Sequence, residues 1–163
     1  MDTLPSGAAD TDGVTVTRRG TCGTFGGNSA PSGSQVDLEG GTVRSFASVL
    51  ADGVGGPACA QVVAVSEGHN YEQTTDSCGL RTATDVVNGG ATGLGALAAN
   101  GGPTSTELPA ANSPLLDAFP AGDPRCSGVD QRGVARPNGA ACDIGSVELE
   151  LAPGPARSLA FAG

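Results

Sequence analysis

A chain of 163 residues with a formal net charge of −9 and 3% aromatic side chains has the length of one domain but little material for a core. Leu, Ile, Val and Phe together number 31 and there is no Trp, so a fold has to stack small aliphatic side chains regularly, as a coil of repeated short strands would. The eight cations are all Arg and are scattered through an acidic chain, which excludes a nucleic-acid partner, and the absence of any 18-residue apolar run excludes a membrane span.

In chain order, residues 1–13 carry neither a basic nor an apolar export signal, and they are read as a disordered or truncated segment with any signal lying upstream. Val14-Thr15-Val16-Thr17 and Val36-Asp37-Leu38-Glu39 alternate apolar and polar, and Thr42-Val43-Arg44 opens another strand-like stretch. Glycines between them exclude long helices from the first 60 residues. Val16 to Val43 spans 27 positions and Phe25 to Leu50 spans 25, the spacing of two successive coils. From Gly53 to Arg81 the repeat is expected to break into a loop-rich insertion, with a strand from Gln61 to Val65 and a turn at Gly68-His69-Asn70-Tyr71.

Farther on, Leu94, Leu97 and Ala98 fit one helical turn ended by Asn100-Gly101-Gly102-Pro103. Ser113-Pro114-Leu115-Leu116-Asp117 fits another, with Ser as its cap and Pro first. Pro137-Asn138-Gly139 is a turn by mechanism, since Pro presets one φ angle and Asn or Gly accepts a left-handed one. Val147, Leu149 and Leu151 alternate with Glu148 and Glu150, the pattern of a closing strand with one wet face. Residues 152–163 read as a flexible tail.

Five cysteines, Cys22, Cys59, Cys78, Cys126 and Cys142, include no CxxC pair, and with a single His they do not read as a metal site. Two bridges and one thiol can be connected in about 15 ways, and spacing does not choose among them. The expected bridging set is Cys59, Cys78, Cys126 and Cys142, leaving Cys22 as a small core-facing residue. Pairs 59 with 78 and 126 with 142 would each close a short loop worth about 3 kcal/mol. Bridges place the protein outside the cytoplasm; buried reduced cysteines are the alternative.

Four motifs then occur in order: Asn100-Gly101-Gly102-Pro103-Thr104 with Thr106; Ser113-Pro114 with Asp117; Asp130-Gln131-Arg132-Gly133 with Arg136-Pro137; and Cys142-Asp143-Ile144-Gly145 with Glu148. Together they resemble the C-terminal region of bacterial choice-of-anchor Q domain proteins, over residues 14–150 and most specifically over 100–148. The resemblance implies an all-β fold: the last coils of a right-handed parallel β-helix of the pectin-lyase-like superfamily over 14–151, with a loop-rich, disulfide-stapled C-terminal cap. It also implies a secreted or cell-surface location. The tail ending Leu159-Ala160-Phe161-Ala162-Gly163 lacks the sortase-type motif that would complete it.

The motif residues Asn100, Gly101, Gly102, Asp117, Asp130, Arg132, Arg136, Asp143 and Glu148 read as staples of that cap. Arg132 is expected to fork onto Asp130, and Arg136 onto Asp143 or Asp117, pinning loops that have little apolar area; a ligand or ion site is the other reading. Catalysis on a β-helix needs acids projecting from adjacent coils, and Asp37, Glu39 and Arg44 are the candidates, although a solvated strand face shows the same alternation. His69 lies in a context that selects no nucleophile and reads as a surface turn. The glycine clusters match no phosphate or dinucleotide loop.

The expected function is therefore a non-catalytic structural and capping end of an extracellular β-helix protein. Its partners would be upstream coils of the same protein, with cell-surface glycans as candidate ligands, and no catalytic residue, metal or cofactor is assigned. The rivals are a fragment of a polysaccharide lyase or glycoside hydrolase, and a glycan-binding, adhesin-like module.

Overall fold

The computed structural model describes residues 17–30, 36–37, 42–51, 53, 55–60 and 64–150. The chain divides into two compact units, Met1–Ala91 and Thr92–Gly163. No helix occurs among the described residues.

Short β-branched and aliphatic runs between turns become eight strands in the first unit: β1 (Thr17–Thr21), β2 (Thr24–Phe25), β3 (Val36–Asp37), β4 (Thr42–Phe46), β5 (Val49–Leu50), β6 (Cys59–Ala60), β7 (Ala64–Ser66) and β8 (Tyr71–Glu72). None is long enough to stand alone, and each gains its hydrogen bonds from a strand one circuit away in the chain. The sheets are ordered β1-β4-β7, β2-β5-β8 and β3-β6. Every pairing is parallel, and the chain visits the three sheets in strict rotation.

Register follows the apolar pattern. Phe25 lies beside Leu50, at the 25-residue spacing read from the sequence. The 27-residue spacing does not hold: Val43 pairs with Arg18, and Val16 lies outside the described residues. Nor does the repeat break down after Gly53. Cys59 pairs with Val36, Ala64 with Val43 and Tyr71 with Val49, so the supposed insertion supplies the third strand of two sheets and the second of the other. The circuit shortens from 25 residues to between 21 and 23, which hides the repeat in a search for constant spacing. The strand expected from Gln61 to Val65 is Ala64–Ser66; residues 61–63 are outside the described set.

The core of this unit is small. Leu50, Ala58, Cys59, Cys78 and Leu80 form a buried cluster with Phe25 and Val36 packed against it, and the Cys59–Cys78 disulfide lies within it. Cys22 takes part in neither disulfide and is half-buried. Beside the cluster sits a polar core. The fully buried Asn70 accepts from Ser45 Oγ and Ser48 N, and donates to Ser45 O, Ser66 Oγ and Asp85 Oδ1. Its carboxamide thereby ties β4, β7 and the 82–86 turn together with all its hydrogen-bonding capacity used. Glu72, also fully buried, accepts from Ser77 N, Ser77 Oγ and Cys78 N. His69 has φ +56° and lies edge-on to Phe46, with ring centroids 5.8 Å apart.

The second unit has no multi-residue strand among its described residues. Leu94 and Ala98 form no helical turn: they bridge antiparallel to Pro109 and Thr106, and the Asn100-Gly101-Gly102 turn reverses the chain between them. An i, i+3, i+4 spacing over five residues cannot separate a helix from a glycine-rich hairpin. Near Ser113, Leu115 N donates to Ser113 Oγ and Leu116 N to Ser113 O, a capped turn that does not propagate. Of the closing strand expected from Val147, residues 147–150 form no strand, and Leu151 is outside the described residues. Glu148, assigned to a wet face by its alternation, is 1% exposed. Among its described residues, the buried apolar side chains of this unit include Leu115, Phe119, Ile144 and Val147 with the disulfide-bonded Cys126 and Cys142.

Candidate functional site

A loop segment without ladders leaves its amides and carbonyls to be satisfied some other way, because a buried backbone group without a partner costs about 1–3 kcal/mol. Between residues 100 and 150 scattered backbone pairs meet part of this need, and side-chain carboxylates and guanidinium groups joined in one network meet much of the rest.

Asp130, 2% exposed, accepts from Arg132 N and Val134 N through Oδ1 and from Glu148 N and Arg132 Nε through Oδ2. The guanidinium of Arg132 continues to Glu148 O at 2.7 Å and Asn100 O at 3.4 Å. A Cβ on Gly102 would lie 2.6 Å from Arg132 Cα, and its φ is +79°, so the 100–106 hairpin can approach only with glycine there. Asn100 Nδ2 closes that hairpin onto Thr106 O and Oγ1.

Arg136 is not paired with the carboxylate of Asp143 or of Asp117, the partners expected from the sequence. Its Nη1 donates to Glu148 Oε2 at 3.0 Å and to the main-chain oxygen of Asp143 at 2.7 Å, and its Nη2 donates to Gly145 O at 2.6 Å. The two aspartates are occupied by amides: Asp143 accepts from Asp117 N and Leu149 N, and Asp117 from Ala141 N. Glu148 also accepts from Asn138 N and Asp143 N. Of the residues singled out in the sequence, Asn100, Gly102, Asp117, Asp130, Arg132, Arg136, Asp143 and Glu148 are thus brought together. Gly101 forms the adjoining turn, with open space where a side chain would stand.

Burial works against the charge on the three buried acids of this network, Asp130, Asp143 and Glu148. At Asp130 it is outweighed by the amides of Glu148, Val134 and Arg132 and by the Arg132 side chain, so the carboxyl is held below its ordinary range. At Asp143 and Glu148 burial prevails over the amides and Arg136, and both are pushed above it. Each also repels a neighbour, Asp143 facing Asp117 and Glu148 facing Asp143.

Groups raised in the folded state take up protons there first, so stability rises as pH falls from neutrality toward the unfolded carboxylate range. The Asp130 contribution is present above its unfolded pKa, about 4, and is lost only as pH falls through its lower folded value. Thermal melts should therefore shift upward between pH 7 and about pH 5 and downward below about pH 4; a steady fall from pH 7 would contradict this balance.

A small cavity of ≈ 10 Å³, about the space of one water, is lined by Leu116, Asp117, Asn138, Gly139, Asp143 and Leu149. No group of three or more His, Cys, Asp or Glu among the described residues could hold a metal ion. The carbohydrate candidates are not assembled on one sheet: Asp37 is in β3 and Arg44 in β4, where it pairs with Glu67 at 3.3 Å, while Glu39 is outside the described residues. The polar core around Asn70 and Glu72 was not anticipated. Spacing hides it, because Ser45 and Asn70 stand 25 residues apart while the register partner of Ser45 is Ser66.

The fold and this network define an all-β protein on parallel sheets with two disulfides. No family model matches the chain, and no curated protein or solved structure is significantly similar to it.

Proposed function

We propose that the chain is a non-catalytic structural end of an extracellular right-handed parallel β-helix protein, as its resemblance to choice-of-anchor Q proteins suggests. The observation that carries this reading is the rotation of eight short strands through three parallel sheets. Parallel strands joined by consecutive crossovers favour the right hand. A solenoid needs a polar, non-propagating end, and the segment that follows these strands in the chain has the right character. The carboxylates of Asp130, Asp143 and Glu148 accept backbone amides, and Arg132 and Arg136 donate to carbonyls and to the Asp130 and Glu148 carboxylates. Groups so engaged hold loops in place and offer little to a substrate. Disulfides favour an oxidising compartment, and cell-surface glycans are the ligand class to test.

The test is incubation of the oxidised chain with polygalacturonate, with and without calcium. No new reducing or unsaturated ends are expected. Turnover abolished by Asp37→Asn would overturn the non-catalytic reading in favour of a lyase or hydrolase.

A further inference from the structure

The chain contains three Asn-Gly pairs, at Asn88-Gly89, Asn100-Gly101 and Asn138-Gly139. Asn followed by Gly is the dipeptide most open to self-modification, because no side chain shields the glycine nitrogen. That nitrogen loses its proton and attacks the Asn Cγ, the Cγ–Nδ2 bond breaks, and ammonia leaves a five-membered imide. Water then opens the imide at either carbonyl, giving Asp or isoaspartate. Two motions are required: the carboxamide must swing over the following peptide, and the glycine amide must be released from any acceptor.

The structure treats the three pairs differently. At the first, Gly89 N donates to Glu72 O at 3.0 Å. At the second, the Asn100 carboxamide is held by Thr106 O at 2.6 Å and Thr106 Oγ1 at 3.2 Å. At the third, among the described residues neither the Asn138 side chain nor Gly139 N finds a partner, and the Asn138 main-chain N–H donates to Glu148 Oε1. Both residues are exposed and both line the small cavity.

We propose that Asn138-Gly139 is a site of spontaneous deamidation through a succinimide. Packing also requires the labile sequence. A Cβ on Gly139 would lie 2.5 Å from Asp117 Oδ1, the oxygen that accepts Ala141 N, so any other residue after Asn138 would push that carboxylate out of its place in the network. The product places a new carboxylate, or an extra backbone methylene, between the Glu148 and Asp117 contacts.

The folded chain is aged at mildly alkaline pH, and the Asn-to-Asp mass gain is followed by peptide mapping that separates Asp from isoaspartate. A chemically unfolded sample serves as control. In the unfolded chain the three pairs should convert at similar rates. In the folded chain Asn138 should convert at least about fivefold faster than Asn88 or Asn100, the rate equivalent of releasing one hydrogen bond worth about 1 kcal/mol. Asn138→Gln should abolish the fast phase and leave the other two pairs unchanged. Equal rates at all three pairs in the folded chain would overturn the proposal, as would an inert Asn138 in a chain whose unfolded control reacts.

Discussion

Arg136→Ala is expected to cost about 3–5 kcal/mol, the range for removing one partner of a buried ion pair, against a total of about 5–15 kcal/mol for a typical domain. The side chain of Arg136 is 4% exposed and that of Glu148 is 1% exposed. Deleting the guanidinium leaves Glu148 charged and without its cation, and leaves the carbonyls of Asp143 and Gly145 without their Arg136 donors. Arg136→Lys keeps the charge but not the planar fork, so it should fall between wild type and Ala. Denaturant unfolding measures both. The Ala defect should shrink at acid pH, because an unpaired Glu148 is relieved by taking up a proton. A midpoint unchanged by Arg136→Ala would show that the network does not hold the loops.

Opening Cys126–Cys142 should be nearly as costly. The bridge joins residues 16 apart, and the chain-entropy argument assigns such a loop about 3 kcal/mol. For a unit of this size that corresponds to a drop of more than about 10 °C in melting temperature. Cys142 is fully buried, its backbone exchanges both hydrogen bonds with Phe119, and its neighbour Asp143 belongs to the Arg136 network. Loss of the bridge and loss of Arg136 should therefore be non-additive. Melting of Cys126→Ala/Cys142→Ala, with light scattering for aggregation, tests this. The same melting temperature with and without reductant would remove the stapling role.

Much of the first unit was legible in composition and spacing. A lean, glycine-rich chain without Trp points to short strands, and Phe25 and Leu50 announce their 25-residue register because they share an apolar stack. The third circuit was hidden at Cys59, Ala64 and Tyr71, where shorter connections break the period while the pairing continues. In the second unit the residue types were legible and their partners were not. Glu148 alternates with Val147 and Leu149 as a surface residue would, yet it is interior, because the amides of Asn138 and Asp143 and the guanidinium of Arg136 meet there.

The sequence by itself determined the all-β character, one coil register and the set of charged residues in the closing segment, because those follow from local pattern and composition. Only the tertiary structure decided which cysteines join, that Arg136 takes Glu148, and that Gly89 N and the Asn100 carboxamide are held while, among the described residues, neither the Asn138 carboxamide nor Gly139 N is. Each of those depends on groups far apart in the chain meeting in low-dielectric surroundings, where a carboxylate is claimed by whichever donors the fold brings to it.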